Sequence, residues 1–241
     1  MPLLEVANLS KSFGGNQAVK SLSFTLETGE ILGLIGPNGA GKTTAFNMIA
    51  GYFPPDTGEV RFKGENIAGL RAWNISHRKI ARTFQLSKPF GDLTVLENVM
   101  VGGFHHQESR VAARRKAEEV LAFVGMEGQA SVEANNLTVV DRKRLELARC
   151  LATDPELLLL DEVVAGATPS EAIAMMEMIR RIRDMGITII MVEHVMRVVM
   201  GLSHRVLVLH HGETIAVGDP QTVSRDPVVL KAYLGARYAH A

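Results

Sequence analysis

Disulfides and long apolar runs are both missing from this sequence of 241 residues. Cysteine occurs once, at Cys150, so the chain cannot form an internal disulfide, and such sparing use is typical of a reducing compartment. No uninterrupted apolar run approaches the ~20 residues that a helix needs to cross a bilayer. The N-terminus lacks the basic start and apolar stretch of a signal peptide. If the protein works at a membrane, we expect another chain to supply the spans.

An excess of charge of either sign is missing as well. The 26 Lys and Arg residues balance the 26 Asp and Glu residues. Proteins that bind nucleic acid through its phosphates carry a basic surface. The balance therefore gives no support to a role in DNA repair or on the ribosome, and we expect no nucleic-acid partner. The length suits one large domain, or a domain with a subdomain, and it is enough to bury a core.

Apolar strands and helices alternate along most of the chain, which predicts a parallel sheet covered on both faces. Strands are predicted at Leu3–Leu9, Leu22–Leu26, Glu30–Ile35, Thr57–Gly64, Leu157–Leu160, Ile187–Val192 and Arg205–Leu209. Helical spacing predicts helices at Leu93–Val101, Ser109–Val124 and Pro169–Met185. Thr168 is the expected cap of the last helix, with proline at its first position. The stretch from about Ser87 to Arg149 lacks a strong strand pattern, so we interpret it as a helical insertion.

A glycine-rich segment between a strand and a helix is the most informative motif of the chain. It fits the pattern G-x-x-x-x-G-K-[ST], and a helix is predicted directly after it at Thr44–Ala50. Glycines let the backbone wrap around a polyphosphate so that its N–H groups point at the anion, and the N-terminus of the helix faces the same anion. A glycine-rich turn without a ligand is the alternative, but the strand–loop–helix setting argues against it. The predicted phosphate-binding residues are Gly36, Pro37, Asn38, Gly39, Ala40, Gly41, Lys42, Thr43 and Thr44.

Two of these residues have further roles in phosphate chemistry. Lys42 would reach the β and γ phosphates, and the Thr43 hydroxyl would hold Mg²⁺. A second strand, Leu157–Leu160, ends in Asp161 and Glu162. Since the carboxyl ends of parallel strands meet at one edge of a sheet, we expect this acidic pair beside the phosphate loop. Asp161 would hold Mg²⁺ and Glu162 would orient or deprotonate the attacking water, whereas solvated acids are the alternative.

Two polar residues follow other predicted strands. Gln85 comes after the segment Ile80–Phe84, where it can reach Mg²⁺ or the attacking water. His194 comes after Ile187–Val192 and Glu193, where it can contact the γ-phosphate. A surface glutamine and a structural histidine are the alternatives, and the residues alone leave both questions open.

In their order along the chain, these motifs resemble those of the nucleotide-binding subunit of ATP-binding-cassette (ABC) transporters, over nearly the full length. On this resemblance Gly36–Thr43 is the Walker A loop and Leu157–Asp161 is the Walker B strand. Glu162 is then the catalytic glutamate, Gln85 belongs to the Q-loop and His194 is the switch histidine. The resemblance implies ATP and Mg²⁺ as cofactors, with Mg²⁺ held by Thr43, Gln85 and Asp161, and catalytic roles for Lys42, Gln85, Glu162 and His194.

The resemblance also implies an α/β fold of the P-loop NTPase (RecA-like) kind, with an antiparallel β subdomain and an inserted α-helical subdomain. Residues 1–241 would form a single nucleotide-binding domain. Its catalytic core and β subdomain would comprise residues 1–86 and 150–241, and its helical subdomain residues 87–149. Phe13 lies where this family places an aromatic ring against adenine, and core packing is the alternative for it.

Several segments narrow the resemblance to the ATP-binding subunits of branched-chain or hydrophobic amino-acid uptake systems. They are Ile80–Gln85, Leu93–Gly102, Arg144–Arg149, Leu151–Pro155, Ala165-Gly166 and Ala232–Gly235. The lipopolysaccharide-export ATPase is similar in several of the same places and is the nearest competitor. Non-transport ATPases of the superfamily, in repair or translation, are the rival class, but no second cassette, zinc insert or long coiled coil is visible in the sequence.

The chain departs from the family at the signature motif, which is usually Leu-Ser-Gly-Gly-Gln. The aligned residues are Leu137, Thr138, Val139, Val140 and Asp141. A glycine at the position of Val140 normally lets the helix N-terminus approach the γ-phosphate held by the other subunit, and a β-branched side chain obstructs that approach. Asp141 adds negative charge close to a phosphate.

Two hypotheses follow from this departure. In the first, the chain pairs with a different nucleotide-binding subunit, whose signature completes a hydrolytic site on this chain. In the second, the chain is a degenerate or regulatory module that holds ATP without useful turnover. The intact Lys42, Asp161, Glu162 and His194 favour the first.

The resemblance implies partners that the sequence itself does not contain. These are membrane permease subunits, a second ATP-binding subunit in a homodimer or heterodimer and, indirectly, a substrate-binding protein. The expected location is peripheral, on the cytoplasmic face of the inner or plasma membrane. Phe84–Glu97 is the expected surface for a coupling helix of the permease.

Overall fold

The computed structural model of the chain describes residues 1–85, 88–105 and 109–234. The strands are β1 (Leu4–Phe13), β2 (Asn16–Leu26), β3 (Ile31–Ile35), β4 (Thr57–Phe62), β5 (Glu65–Asn66), β6 (Ile80–Arg82), β7 (Leu157–Asp161), β8 (Thr188–Val192), β9 (Arg205–His210) and β10 (Glu213–Gly218). The helices are α1 (Lys42–Ile49), α2 (Ala72–His77), α3 (Val95–Gly103), α4 (Arg110–Val124), α5 (Val139–Leu151), α6 (Pro169–Asp184), α7 (Met196–Leu202), α8 (Pro220–Val223) and α9 (Pro227–Leu234).

A six-stranded sheet in the order β10-β9-β3-β8-β7-β6 forms the centre of the molecule. Its strands are parallel except for β10, which pairs antiparallel with β9. Every residue of β3, β7 and β8 is buried, because apolar side chains on both strand faces are covered by neighbouring elements. The predicted doubly covered parallel sheet is confirmed. The chain turns that follow Ile35, Asp161 and Val192 therefore meet at one edge of this sheet.

A second sheet, in the order β2-β1-β4-β5, is antiparallel throughout. Apolar residues on its inner face pack into one cluster with helix α1 and one face of the parallel sheet. Phe46 of α1 is fully buried in this cluster. The helix that follows the glycine-rich loop is thus fixed between the two sheets, and the predicted antiparallel β subdomain is confirmed along with the fold class.

Helices α3, α4 and α5 form the region between β6 and β7. Thr94 caps α3 in a capping box with Glu97, and Ser109 caps α4. In the described part of residues 88–151 the only β pairing is a single bridge between Thr94 and Glu133. Ser87, where we predicted the helical subdomain to begin, lies outside the described residues, so the boundaries of this subdomain stay a prediction.

The element predictions agree with the structure where the sequence pattern is strong. Helix α6 begins at Pro169, and the Thr168 side chain accepts a hydrogen bond from the Glu171 amide in a complete capping box. Strands β5 and β10 were not predicted: both residues of β5 are exposed and polar, and β10 is only partly buried, so neither has a clear apolar pattern. Cys150 is buried in α5, as expected of a core residue. Across the described ranges, no helix has the length and apolar character that crossing a membrane requires.

Candidate functional site

The loop between β3 and α1 turns sharply and packs closely against two strands. Gly36 and Gly41 have φ angles of 150° and 105°, a range that favours glycine. A Cβ atom at Gly36 would lie 2.1 Å from the carbonyl oxygen of Leu209, and one at Gly41 would lie 2.4 Å from that of Ala18. Both positions therefore require glycine, and the spacing of the sequence motif follows from this close approach.

A cavity of about 710 Å³ opens at this loop, within the ~300–1,000 Å³ usual for ligand sites. One wall is formed by the start of β2 and the turn before it, and the other by the end of the glycine-rich loop and the start of α1. The remaining predicted residues, Gly36, Pro37 and Asn38, form the first half of the loop rather than the cavity wall. The lining residues are Gly15, Asn16, Gln17, Ala18, Lys20, Gly39, Ala40, Gly41, Lys42, Thr43, Thr44 and His211.

The Lys42 side chain folds back into the loop. Its Nζ donates hydrogen bonds to the carbonyl oxygens of Gly36 (2.7 Å) and Pro37 (2.9 Å). Burial lowers the pKa of Lys42, and the negative charges of Glu162 and Asp161 act in the opposite direction. A buried ammonium group at the start of α1 is suited to bind an anionic group, and the neighbouring carboxylates keep it in its charged form.

The Phe13 ring stands at the end of β1, next to the turn that lines this cavity. It packs edge-to-face on Phe53, with ring centroids 5.3 Å apart. About half of Phe13 is exposed (49%). This exposure does not fit the alternative of core packing, and it leaves an aromatic surface available for stacking.

Asp161 is the last residue of β7 and is almost fully buried. Its Oδ2 atom lies 3.2 Å from Nη2 of Arg82, which ends the neighbouring strand β6. Burial raises the pKa of Asp161, while the charge and hydrogen bond of Arg82 act to lower it. Arg82 also bonds the side chain of Asn47 in α1 and lies over the rings of Tyr52 and Phe84. One guanidinium thus connects the acidic edge of the sheet to α1 and to two half-exposed aromatic side chains.

Glu162 and His194 meet at the same sheet edge. The Oε1 atom of Glu162 lies 2.8 Å from Nε2 of His194. Glu162 has a φ of 50°, which is uncommon for a residue with a side chain. Its amide donates to the carbonyl oxygen of Val192, so β8 holds the strained turn in place. The structure therefore brings together an acid and a base that are 32 positions apart in the sequence.

Gln85 is exposed and lies just beyond β6. Its carbonyl oxygen accepts a hydrogen bond from Lys143 (2.8 Å), and the preceding Phe84 amide donates to Glu146 (2.6 Å). Helix α5 thus holds the backbone of this segment at two points. Gln85 lines a second cavity, of about 730 Å³, together with Thr43 and Asp161.

The signature-like residues lie at the N-terminus of α5. Thr138 is the cap: its hydroxyl accepts from the Asp141 amide and donates to the Asp141 carboxylate (2.8 Å). Asp141 also lies 3.6 Å from Arg144. Val139 is exposed (62%), Val140 is half-buried and Leu137 is buried. The hydroxyl and the carboxylate at this helix end therefore bond each other.

Four residues with clear contacts at this site were not predicted from the sequence. Arg82 contacts Asp161, Lys143 contacts the Gln85 segment, and Glu193 bonds the amide of Val164. Tyr233 of α9 accepts a hydrogen bond from the Gly36 amide. The sequence did offer a signal for Arg82 and Glu193, because each is a charged residue at the end of an apolar strand. Nothing in the sequence indicates the other two contacts, because they join elements far apart in the chain.

Comparison with known proteins agrees with this geometry. A model of the ABC transporter family matches residues 19–165, and a model described as branched-chain amino acid ATP-binding cassette transporter matches residues 213–239. The chain is similar in structure to the ADP conformation of MJ1267, an ATP-binding cassette of an ABC transporter. The TM-score is 0.89 at 30% identity, covering 98% of this chain and 99% of that chain.

Curated relatives divide between uptake and export systems. The chain is 38% identical to the high-affinity branched-chain amino acid transport ATP-binding protein LivG of Escherichia coli (strain K12), over 97% of this chain and 98% of that protein. It is 31% identical to the lipopolysaccharide export system ATP-binding protein LptB of Acidithiobacillus ferridurans, over 98% of each. The higher identity to LivG weakens the export alternative. The chain belongs to the ABC transporter family and is an ATP-binding, ATP-hydrolysing subunit of the branched-chain amino-acid type.

Proposed function

We propose that this chain drives the import of branched-chain or other hydrophobic amino acids through membrane permease subunits. The observation that carries the proposal is the arrangement at one edge of the parallel sheet. Lys42 begins α1 directly after the glycine-rich loop, Asp161 ends β7, and the Glu162–His194 pair follows the adjacent strands β7 and β8. The substrate class is supported by identity to LivG, whose name assigns it branched-chain amino acid transport.

The residues present fit a magnesium ion. Thr43, Gln85 and Asp161 line one cavity and offer a hydroxyl, an amide oxygen and a carboxylate. Mg²⁺ prefers such oxygen ligands and keeps several of its waters. When bound, it would neutralise charge on the terminal phosphates of ATP.

The chain's own residues perform the remaining steps. The Lys42 ammonium exchanges the carbonyl oxygens of Gly36 and Pro37 for phosphate oxygens, which bind a cation more strongly. Glu162 orients the attacking water and accepts its proton, while His194 holds the Glu162 carboxylate in place. The exposed Phe13 ring stacks on adenine. These roles depend on positioning and charge, which is what phosphoryl transfer requires of a protein.

The signature segment favours pairing with a different ATP-binding subunit. Val140, half-buried in the first turn of α5, stands where a glycine is usual, and the Asp141 carboxylate bonds the hydroxyl of the capping Thr138 at the helix end that a phosphate would approach. A carboxylate there repels a γ-phosphate. We therefore infer that this chain supplies the Walker residues of a hydrolytic site and that a partner subunit supplies the signature helix. A degenerate or regulatory subunit with weak turnover is the second candidate, favoured by the same segment.

We assign contact with the permease to the second cavity, of about 730 Å³, which Gln85 lines. Its wall includes the exposed side chains of Tyr52 and Phe84, and it lies beside α3 and α5. This region overlaps the predicted coupling surface Phe84–Glu97, of which residues 86 and 87 lie outside the described ranges. The chain would then sit peripherally on the cytoplasmic face of the membrane, and a substrate-binding protein would act through the permease.

An ATPase assay tests the proposal. Wild type and Glu162→Gln are compared alone and together with the permease and the candidate partner ATP-binding subunit, with the exposed Glu177→Gln as a matched control. We expect little hydrolysis by the chain alone, hydrolysis in the complete complex, and a loss of about 100-fold or more in Glu162→Gln with ATP binding retained. Uptake of labelled leucine by vesicles holding the complex tests the substrate class.

Strong hydrolysis by the chain alone would contradict the need for a different partner. Hydrolysis by the complex that does not change in Glu162→Gln would contradict the assigned chemistry. If the complete complex binds ATP and hydrolyses it only weakly, the degenerate or regulatory subunit is the correct alternative.

A further inference from the structure

Glu193 is a buried carboxylate to which the proposed chemistry gives no role. It directly follows β8 and is only 2% exposed. Burying a carboxylate is costly unless hydrogen-bond donors replace the water it loses. The donors here are backbone amides, those of Val164 (3.2 Å) and His194. The carboxylate therefore bridges two loops of the backbone.

The two loops that Glu193 bridges are those of the candidate catalytic pair. Val164 lies two positions after Glu162, in the turn that the positive φ of Glu162 creates. His194 is the residue whose Nε2 lies 2.8 Å from Glu162. Positive φ at a non-glycine residue costs about 1 kcal/mol or more and persists only where neighbouring structure imposes it. The bonds from Glu193 hold the backbone on both sides of the Glu162–His194 contact.

We propose that Glu193 is a positioning residue for ATP hydrolysis, which holds the Glu162 turn against the His194 loop through the amides of Val164 and His194. The inference rests on the proposed roles of Glu162 and His194. It assigns to Glu193 no contact with nucleotide or with the attacking water.

The charges around Glu193 make this contact sensitive to pH. Burial is the main cause that raises the pKa of Glu193, to about 7, and the charge of Glu162 raises it further. The amides of Val164 and His194 and the charge of Lys143, from α5, act to lower it. The ionised carboxylate accepts the two amide bonds more strongly than the acid does. Protonation near neutral pH therefore loosens the bridge between the loops.

Two substitutions distinguish the effect of the hydrogen bonds that Glu193 accepts from the effect of its negative charge. Glu193→Ala removes both acceptors, whereas Glu193→Gln keeps one acceptor oxygen and is neutral at every pH. The rate and the KM for ATP are measured for the complete complex from about pH 6 to about pH 8, with the exposed Glu177→Gln as the control. Binding of a fluorescent ATP analogue is measured for each variant.

A positioning role predicts a particular pattern. Glu193→Ala should lower kcat about 10-fold or more with KM for ATP and analogue affinity within about 2-fold of wild type, because a small displacement of a catalytic group is enough to slow hydrolysis. Glu193→Gln should retain more of kcat than Glu193→Ala, and its kcat should fall less than that of wild type between about pH 8 and about pH 6.

Three results would overturn the proposal. These are a wild-type kcat in Glu193→Ala, a parallel loss of analogue affinity in both variants, or a Glu193→Gln profile with the full wild-type dependence on pH. Absence of any Glu162-dependent hydrolysis in the wild-type complex would instead refute the proposed function, and this inference with it.

Discussion

Replacing Arg82 with methionine tests how the buried acidic edge of the sheet is stabilised. The Arg82 and Asp161 side chains are only 9% and 3% exposed. Breaking a buried ion pair costs about 3–5 kcal/mol, because it leaves an unpaired buried charge. Methionine recovers about 1 kcal/mol by packing among the rings of Phe46, Tyr52 and Phe84. We therefore expect Arg82→Met to lower the free energy of unfolding by about 2–4 kcal/mol.

Urea denaturation of the nucleotide-free chain, in a chelator, measures this loss. The control is Arg114→Met, which breaks the exposed pair with Glu118 (61% and 53% exposed) and should change stability by about 0.5 kcal/mol or less. In the double variant Arg82→Met with Asp161→Asn, the unpaired charge is gone and at least half of the loss should be recovered. The reasoning is refuted if Arg82→Met is no more destabilising than the Arg114 control, or if the double variant recovers nothing.

Two further predictions concern buried charges at the site. Lys42→Met removes the ammonium group that the carbonyl oxygens of Gly36 and Pro37 hold. We expect the affinity for a fluorescent ATP analogue to fall about 10-fold or more with the fold retained. Unchanged affinity would contradict the role of Lys42. The raised pKa of Glu193, about 7 against its ordinary 4.5, means that the folded chain binds this proton more tightly than the unfolded chain. The stability that this proton contributes is complete below about pH 4.5 and is lost as the pH rises through about 7. Because Glu193→Gln carries no such proton, its free energy of unfolding should rise relative to that of wild type by up to ~3 kcal/mol between those two pH values. Urea titrations at several pH values measure the difference, and a difference that does not change with pH would contradict the prediction.

The elements of the fold that depend only on neighbouring residues in the chain could be predicted from the sequence. The continuous apolar run of Leu157–Leu160 indicated a strand buried on both faces, and Thr168 with Pro169 indicated the start of a helix. The glycine-rich loop was predicted for the same reason, since Gly36 and Gly41 occupy positions that no other residue fits.

The contacts between loops could not be predicted, because they depend on which strands become neighbours. The chain separates β6 from β7 by the whole helical region, yet the two strands pair and place Arg82 against Asp161. The pairing of β7 with β8 likewise brings Glu193 to Val164. Strand order is a property of the complete sheet, so an isolated arginine or glutamate at a strand end carries no signal of its partner. The roles of the site residues stay predictions until variants are measured.

The larger cavity has a consequence for inhibition. Thr43 and Asp161 line it together with Val101 of α3 and Arg149 of α5. A compound designed to fill this hollow would contact two of the proposed magnesium ligands without filling the cavity at the glycine-rich loop. Its potency would then depend on the magnesium and nucleotide present in the assay, because Thr43 and Asp161 are two of the residues proposed to hold Mg²⁺.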